Sequence, residues 1–141
     1  MIQHILFATD GSFSAERAGD YVASIAIRFH AKVTVLHAFV NMPIPMASSS
    51  TVNVDPYSNQ KDAERLTERT AERLRNLGVA QVETEVISGQ PTSVILGVAE
   101  TVKPDMIILG ARGLSTWQGL LLGSVSISVV QRAEIPVLVV K

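Results

Sequence analysis

Short apolar runs alternate with helical patterns along the whole chain. The runs are rich in β-branched residues and bounded by polar or turn-forming ones, which predicts buried strands. Between them, apolar residues recur at three- and four-residue spacing, which predicts amphipathic helices. The predicted strands are residues 5–8, 32–40, 79–87, 106–109 and 135–140. The predicted helices begin after Ser12, at Gln60, at Pro91 and near Ser124.

Residues with known helix-end preferences mark the bounds of these helices. Ser12 or Ser14 can cap the first helix, because a serine oxygen accepts hydrogen bonds from free amides of the first turn. Gly78 follows the second helix as a carboxyl-terminal cap, and Pro91 suits the first turn of the third. The apolar stripe of the first helix is expected to face a sheet, and it consists of Ala18, Tyr21, Val22, Ile25 and Phe29.

Strands separated by helices indicate right-handed crossovers, and therefore a parallel sheet with helices on both faces. One segment departs from the pattern. Residues 41–59 hold Pro43, Pro45 and Pro56 and three consecutive serines, with almost no charge. This composition predicts a long surface loop, which in a compact domain is usually functional or mobile.

Composition excludes several function classes. Hydrophobic residues make up 47% of the 141 residues and charged residues 18%, with a formal net charge of -1. That balance gives no electrostatic case for nucleic acid or an anionic membrane surface. The chain has no cysteine, which excludes disulfides and thiolate sites. It shows neither a signal-peptide pattern at its start nor an apolar run long enough to span a membrane, so we expect a cytoplasmic protein.

Candidate chemistry lies where strands end. Ligands of open parallel sheets bind beyond the carboxyl ends of the strands. Residues 9–12, Thr-Asp-Gly-Ser, follow the first strand, and Gly110-Ala111-Arg112-Gly113 follows the fourth. Gly123-Ser124 comes nine residues after Gly113, where a helix begins. This is neither a Walker A loop nor the Gly-x-Gly-x-x-Gly dinucleotide fingerprint.

These glycines suit an anion or phosphate site. Gly110 and Gly113 permit positive φ and the approach of backbone amides to an anion, and free amides at a helix start face any phosphate. Ser124 and Ser126 can add hydroxyl donors, and Arg112 can pair with phosphate oxygens or reach solvent. The alternative is that the glycines form a tight turn and that Ser124 only caps a helix.

Three other residues have a functional and a structural interpretation. Asp10 can contact a ligand or satisfy amides within its own turn. A lone histidine near the end of a buried strand is more often structural than catalytic, so we assign His37 no catalytic role, and no two histidines have metal-ligand spacing. Trp117 can cover a ligand, pack against a partner or fill a surface gap.

Four segments together resemble the universal stress protein family over essentially the whole chain. The most specific is Gly110-x-x-Gly113-x9-Gly123-Ser124, and the others are residues 5–12, 35–38 and 135–140. The resemblance implies an α/β fold, with a Rossmann-like open parallel five-stranded sheet in the order 3-2-1-4-5 and helices on both faces. It also implies a single domain over residues 1–141.

The complete glycine motif is similar to that of the ATP-binding branch of this family. By that resemblance, the backbone amides around Gly123 would hold the phosphates of ATP, and Asp10 would contact the ribose or the Mg²⁺-bound phosphates. Family members often have proline or valine at position 8 and valine at position 38. Here both are alanine, which weakens the apolar contact with a base by about 1 kcal/mol or more for each pair of methyl groups lost. The implied ATP-binding residues are Ala8, Thr9, Asp10, Ala38, Gly110, Arg112, Gly113, Gly123, Ser124, Val125 and Ser126.

The resemblance implies a nucleotide-dependent regulator or switch in a stress response. Two alternatives remain: a slow ATP hydrolase, and an interaction module that binds AMP, a cyclic nucleotide or no nucleotide. We favour a binding protein, because only Asp10 and Arg112 lie near the motif as candidate base and cation. The resemblance further implies a homodimer through the last strand, Val137–Val140, and a downstream protein partner that the sequence does not identify.

Overall fold

The computed structural model describes residues 1–40, 58–113 and 122–141. Strands and helices alternate through these residues, as the periodicity predicts. The strands are β1 (His4–Ala8), β2 (Lys32–Phe39), β3 (Val82–Ser88), β4 (Met106–Gly110) and β5 (Val137–Val140). The helices are α1 (Phe13–Phe29), α2 (Ser58–Asn76), α3 (Pro91–Val102) and α4 (Ser124–Arg132).

The five strands form one parallel sheet in the order β3-β2-β1-β4-β5, which confirms the predicted Rossmann-like α/β fold. The register sets Ile5 of β1 beside Val33 of β2 and Met106 of β4. In the sheet, β2 and β3 therefore lie on one side of β1, and β4 and β5 lie on the other. The strand order reverses at β1 and β4, which is where open sheets of this type bind ligands.

Helices cover both faces of the sheet. One apolar cluster joins β1 and β2 to α1 and α2 through residues such as Phe7, Val22 and Leu74. The other joins the opposite face of the sheet to α3 and α4 through residues such as Leu36 and Val129. No described helix is both long and apolar enough to cross a membrane.

The buried face of α1 differs from the predicted stripe. Ala18 and Val22 are buried as expected, but Tyr21 and Phe29 are 50% and 41% exposed. The buried positions of this helix are almost all small, and they include Gly19. Small side chains let the helix lie close to the sheet, and the bulky aromatic residues remain at its margins.

The helix ends follow the predicted chemistry. Ser12 is the cap of α1, since its Oγ accepts a hydrogen bond from the Ala15 amide at 3.3 Å. Gly78 has a φ of +109° and ends α2, with its amide bonded to the Arg75 carbonyl and the next amide, Val79, bonded to Leu74. This pair of bonds is the Schellman arrangement, in which glycine tolerates the positive φ.

Element bounds differ from the predicted ones by up to three residues. The largest shift is at β3, which begins at Val82 rather than at residue 79, because Val79 completes the end of α2. The predicted loop at 41–59 was too long at its end, because α2 already begins at Ser58. The rest of that loop, residues 41–57, lies outside the described residues, and so does Trp117.

A polar cluster closes the amino end of the sheet. The Asp105 carboxylate accepts hydrogen bonds from the Gln3 and His4 amides at 2.7 and 2.8 Å, and these bonds lower its pKa. His4 Nε2 lies 2.8 Å from Thr34 Oγ1. Burial, followed by the nearby Lys32 charge, lowers the pKa of His4. This cluster lies at the opposite end of the sheet from the candidate site.

Candidate functional site

A cavity of about 230 Å³ opens at the carboxyl ends of β1, β2 and β4. It lies at the point where the strand order reverses. All the residues predicted for the site line this one cavity: Ala8, Thr9, Asp10, Ala38, Gly110, Arg112, Gly113, Gly123, Ser124, Val125 and Ser126. Its volume is somewhat below the range of about 300–1,000 Å³ typical of small-molecule sites.

One wall of the cavity is the amino end of α4. Gly123 is the residue that caps this helix, and no side chain in the described part of the chain bonds to the first amides of α4. The first backbone bond of the helix runs from the Ile127 amide to the Gly123 carbonyl. The amides of Ser124, Val125 and Ser126 precede it, so they have no partner within the helix. Such amides, at the positive end of the helix dipole, favour an anion.

The opposite wall offers backbone groups of β2. The pairing of β2 with β1 ends at Leu36, whose carbonyl accepts a hydrogen bond from the Thr9 amide. The pairing of β2 with β3 continues to Phe39. Because backbone groups alternate between the two sides of a strand, the Ala38 amide and carbonyl face the side where β1 has ended. They therefore present one donor and one acceptor beside the cavity.

Gly110 is required for a different reason from the predicted one. It is the last residue of β4 and has strand backbone rather than positive φ. A Cβ at this position would lie 2.5 Å from Ser14 Oγ, 2.6 Å from the Ala15 nitrogen and 2.7 Å from the Ser14 carbonyl carbon. The first turn of α1 thus packs directly on Gly110, and any side chain there would collide with helix backbone.

The Ser126 hydroxyl, predicted as a donor to phosphate, donates to backbone carbonyls in this structure. The side chain is only 3% exposed. Its Oγ donates to the Gly110 carbonyl at 2.8 Å and also lies 3.2 Å from the Ala111 carbonyl oxygen. A hydroxyl has one proton, which these carbonyls occupy. Ser124, two residues earlier, is exposed and has no such bond among the described residues.

Both interpretations of Asp10 are compatible with its geometry. Asp10 Oδ1 accepts a hydrogen bond from the Ser12 amide at 2.9 Å, which is the predicted turn interaction. Asp10 also lines the cavity, and its other carboxylate oxygen has no hydrogen bond within the described part of the chain. One oxygen therefore holds the turn while the second remains available to a ligand or a ligand-bound cation.

His37 is held by backbone. Its Nδ1 donates to the Thr9 carbonyl oxygen at 2.7 Å, because a carbonyl can only accept. This bond supports the structural interpretation of His37. Among the described residues, no group of three histidine, aspartate or glutamate side chains could hold a metal ion.

Sequence reasoning missed several apolar residues of the cavity. Ile95 was predicted to face inward from its helix and Leu36 to lie in a strand, but neither was assigned to a site. The signal was their position, since both lie near the carboxyl end of the sheet. The cavity-lining residues missed in this way are Ala15, Leu36, Pro91, Ile95 and Leu109.

Comparison with known sequences identifies the same family that the glycine motif resembles. The sequence model of the universal stress protein family matches residues 1–141 of this chain. A universal stress protein of Mycobacterium tuberculosis is 33% identical over 138 residues, which cover 96% of this chain and 94% of the relative. One from Thermus aquaticus is 33% identical over 144 residues, with 100% of both chains covered.

Solved structures with the same fold include three informative neighbours. The universal stress protein UspA from Lactobacillus plantarum has a TM-score of 0.83 at 24% identity and covers 99% of this chain and 98% of its own. A universal stress protein in complex with cAMP has a TM-score of 0.76 at 29% identity, with 99% and 96% covered. One from Archaeoglobus fulgidus in complex with dAMP has a TM-score of 0.73 at 22% identity, with 100% and 98% covered. The first and third, below 25% identity, show likeness of fold alone.

Proposed function

This chain belongs to the universal stress protein family, and we propose that its cavity binds ATP together with Mg²⁺. In this proposal the protein is a nucleotide-dependent regulator of a stress response. The observation that carries it is the pairing of two features across one cavity. Uncapped amides of α4 lie on one side, and the backbone donor and acceptor of Ala38 lie on the other.

The phosphates would bind at the start of α4. The amides of Ser124, Val125 and Ser126 are suited to an anion, and Gly123 brings no side chain between them and a ligand. Arg112 lines the same cavity and is exposed, so its guanidinium can add a cation to the phosphate chain. Mg²⁺ usually binds through substrate phosphates and one or two carboxylates, which suits the free oxygen of Asp10.

The adenine would bind near β2. The Ala38 amide and carbonyl form a donor and acceptor pair, as the edge of an adenine base requires. The apolar side chains of Leu36 and Ile95 line the same cavity. Alanine at positions 8 and 38 leaves this contact looser than larger side chains would, so we expect modest affinity for the base alone.

The neighbour solved with cAMP, at 29% identity, supports a second candidate ligand for this cavity, a cyclic or monophosphate adenine nucleotide. We favour ATP because the α4 amides, Arg112 and Asp10 could together accommodate a longer phosphate chain with its cation. We also favour binding over hydrolysis. Hydrolysis needs a group that orients the attacking water, and Asp10 is the single carboxylate among the described cavity residues, with one oxygen already bonded.

Calorimetric titration with ATP, AMP and cAMP, each with Mg²⁺, tests the proposal after any co-purified nucleotide has been removed. We expect saturable binding with ATP tightest, and loss of binding in Gly123→Val. Gly97→Val is the matched control, since a Cβ at Gly97 meets no atom within 4 Å. Binding of none of the nucleotides by folded, nucleotide-free protein would contradict the proposal, and tightest binding of cAMP would select the second ligand. Slow release of phosphate, or none, is expected in parallel.

We further propose a homodimer through β5. This strand is at the edge of the sheet and pairs with β4 on one side. The Pro136 carbonyl accepts a hydrogen bond from the Ile107 amide of β4, and the Val140 carbonyl accepts one from the Ala111 amide just after β4. Because backbone groups alternate between the two sides of a strand, the Val139 amide faces away from β4. Val139→Pro removes that donor while keeping the β4 ladder, and should shift sedimentation toward monomer. Val139→Ala is the control, and equal sedimentation of the two variants would contradict this pairing.

A further inference from the structure

Three successive backbone carbonyls at the end of β4, those of residues 110–112, accept hydrogen bonds from buried serine hydroxyls. Ser126 Oγ is 2.8 Å from the Gly110 oxygen and 3.2 Å from the Ala111 oxygen. Ser12 and Ser14 donate to the Arg112 oxygen at 3.0 and 2.7 Å. The Arg112 amide also donates to Ser14 Oγ, at 3.2 Å. We call these three serines and the segment they hold, residues 110–112, the serine clamp.

The clamp connects helices from opposite faces of the sheet. Ser12 caps α1 and Ser14 is in its first turn, while Ser126 is in the first turn of α4. The Gly123 amide adds a bond to the Ala111 carbonyl at 2.6 Å. The amino ends of both helices are thereby held to one short segment, and the segment itself continues β4. The position of the α4 amides relative to Asp10 and β4 depends on these bonds.

The clamp hydroxyls cannot donate to phosphate oxygens of a ligand while they make these bonds. The three serine side chains are between 3% and 8% exposed, and each hydroxyl proton is donated to a carbonyl. Their contribution must therefore be geometric. Binding of charged phosphate oxygens depends on donors held in place before the ligand arrives, because ordering them on binding costs affinity.

We infer that Ser12, Ser14 and Ser126 are positioning residues that hold the phosphate side of the cavity in its binding geometry. The inference rests on the proposed nucleotide function and assigns these serines a role within it. It predicts that losing a clamp bond weakens the binding of the phosphates more than the binding of the base. The clamp holds residues 110–112 and the start of α4, whereas the base side is built from β2 and α3, to which the clamp serines make no hydrogen bond within the described residues.

The test compares ATP with adenosine in Ser14→Ala. ATP should bind about tenfold more weakly than to the wild type, the factor expected for the net loss of about one hydrogen bond. Adenosine, followed by NMR titration into the millimolar range, should bind within about twofold of the wild type, since the base side is unchanged. Ser24→Ala is the matched control on the same helix. Its hydroxyl bonds to the Asp20 carbonyl at 2.9 Å, away from the cavity, so neither affinity should change.

A purely structural role gives a different result. General loosening of the fold would weaken ATP and adenosine by the same factor, and equal loss or no loss in Ser14→Ala would overturn the inference. Absence of ATP binding in the wild type would instead refute the proposed function. Hydrogen exchange tests the clamp without any ligand. The Arg112 amide should exchange faster in Ser14→Ala than in Ser24→Ala, and equal exchange would also overturn the inference.

Discussion

Gly110→Ala gives the sharpest test of how the site is built. The added Cβ would lie 2.5 to 2.7 Å from three atoms of α1, whereas ordinary contacts of a Cβ begin near 3.4 Å. Two of those atoms, the Ala15 nitrogen and the Ser14 carbonyl carbon, belong to the helix backbone. Rotating a side chain cannot relieve the collision, so the first turn of α1 must move by several tenths of an ångström.

The expected cost follows from that geometry. Overpacking of a close-packed interior typically destabilises a protein by about 1–3 kcal/mol. Movement of α1 would also weaken the bonds from Ser12 and Ser14 to Arg112, so we expect the upper end, about 3 kcal/mol. Unfolding entropy for a chain of this length is about 0.3 kcal/mol per degree, so the melting temperature should fall by about 10 °C.

Gly97→Ala is the matched control for this measurement. Gly97 lies within α3, and a Cβ there would meet nothing within 4 Å. Alanine in an exposed helix interior is better than glycine by about 0.5–1 kcal/mol, so this variant should be more stable than the wild type. Urea denaturation of the three proteins measures both effects. A Gly110→Ala variant within about 1 kcal/mol of the wild type would refute the packing argument.

Three smaller changes test other parts of the fold. His30 ends α1 with a φ of +55°, so His30→Gly should raise the free energy of unfolding by about 1 kcal/mol in urea, and an unchanged midpoint would contradict this. Gly11 has a φ of +76° and its Cβ would lie 3.1 Å from Leu66, so Gly11→Ala should cost about 1–2 kcal/mol by the same assay. The pKa of His4 is lowered, so the native state binds this proton more weakly than the unfolded state does. The contribution of neutral His4 to the free energy of unfolding is complete above pH about 6.5 and is lost as the pH falls. The stability advantage of wild type over His4→Gln should therefore shrink between pH 8 and pH 5, whereas a constant difference would argue against it.

The parallel sheet could be predicted from the alternation of strands and helices, whereas its strand order was implied by the family resemblance. Apolar runs separated by helices leave few topologies once crossovers are right-handed. Bulky apolar residues were harder to place. Tyr21 and Phe29 fit the helical period of α1 but are exposed, because small residues such as Gly19 set how closely the helix approaches the sheet. Periodicity identifies a face of a helix, while packing distance decides which residues of that face are covered.

The location of the candidate site could be predicted from the sequence, but the environments of its individual side chains could not. Ser124 and Ser126 are two residues apart in one helical turn, and the sequence gives both the same hydroxyl. Their environments differ because Ser126 faces the carboxyl end of β4, where two carbonyls need donors, while Ser124 faces outward. That difference depends on the rotation of α4 about its axis relative to β4, which residue spacing does not specify.

The glycine motif therefore combines two physical requirements that one pattern does not separate. Gly110 is needed by the packing of α1 whether or not a ligand binds, and its loss would disturb the serine clamp as well. Gly123 is the cap of α4 beside the free amides, where we propose that an anion binds and that a side chain would obstruct it. Loss of nucleotide binding in Gly110→Ala would follow from either cause. Loss in Gly123→Val with retained stability would identify the phosphate site itself, so Gly123 is the position at which fold and function can be tested separately.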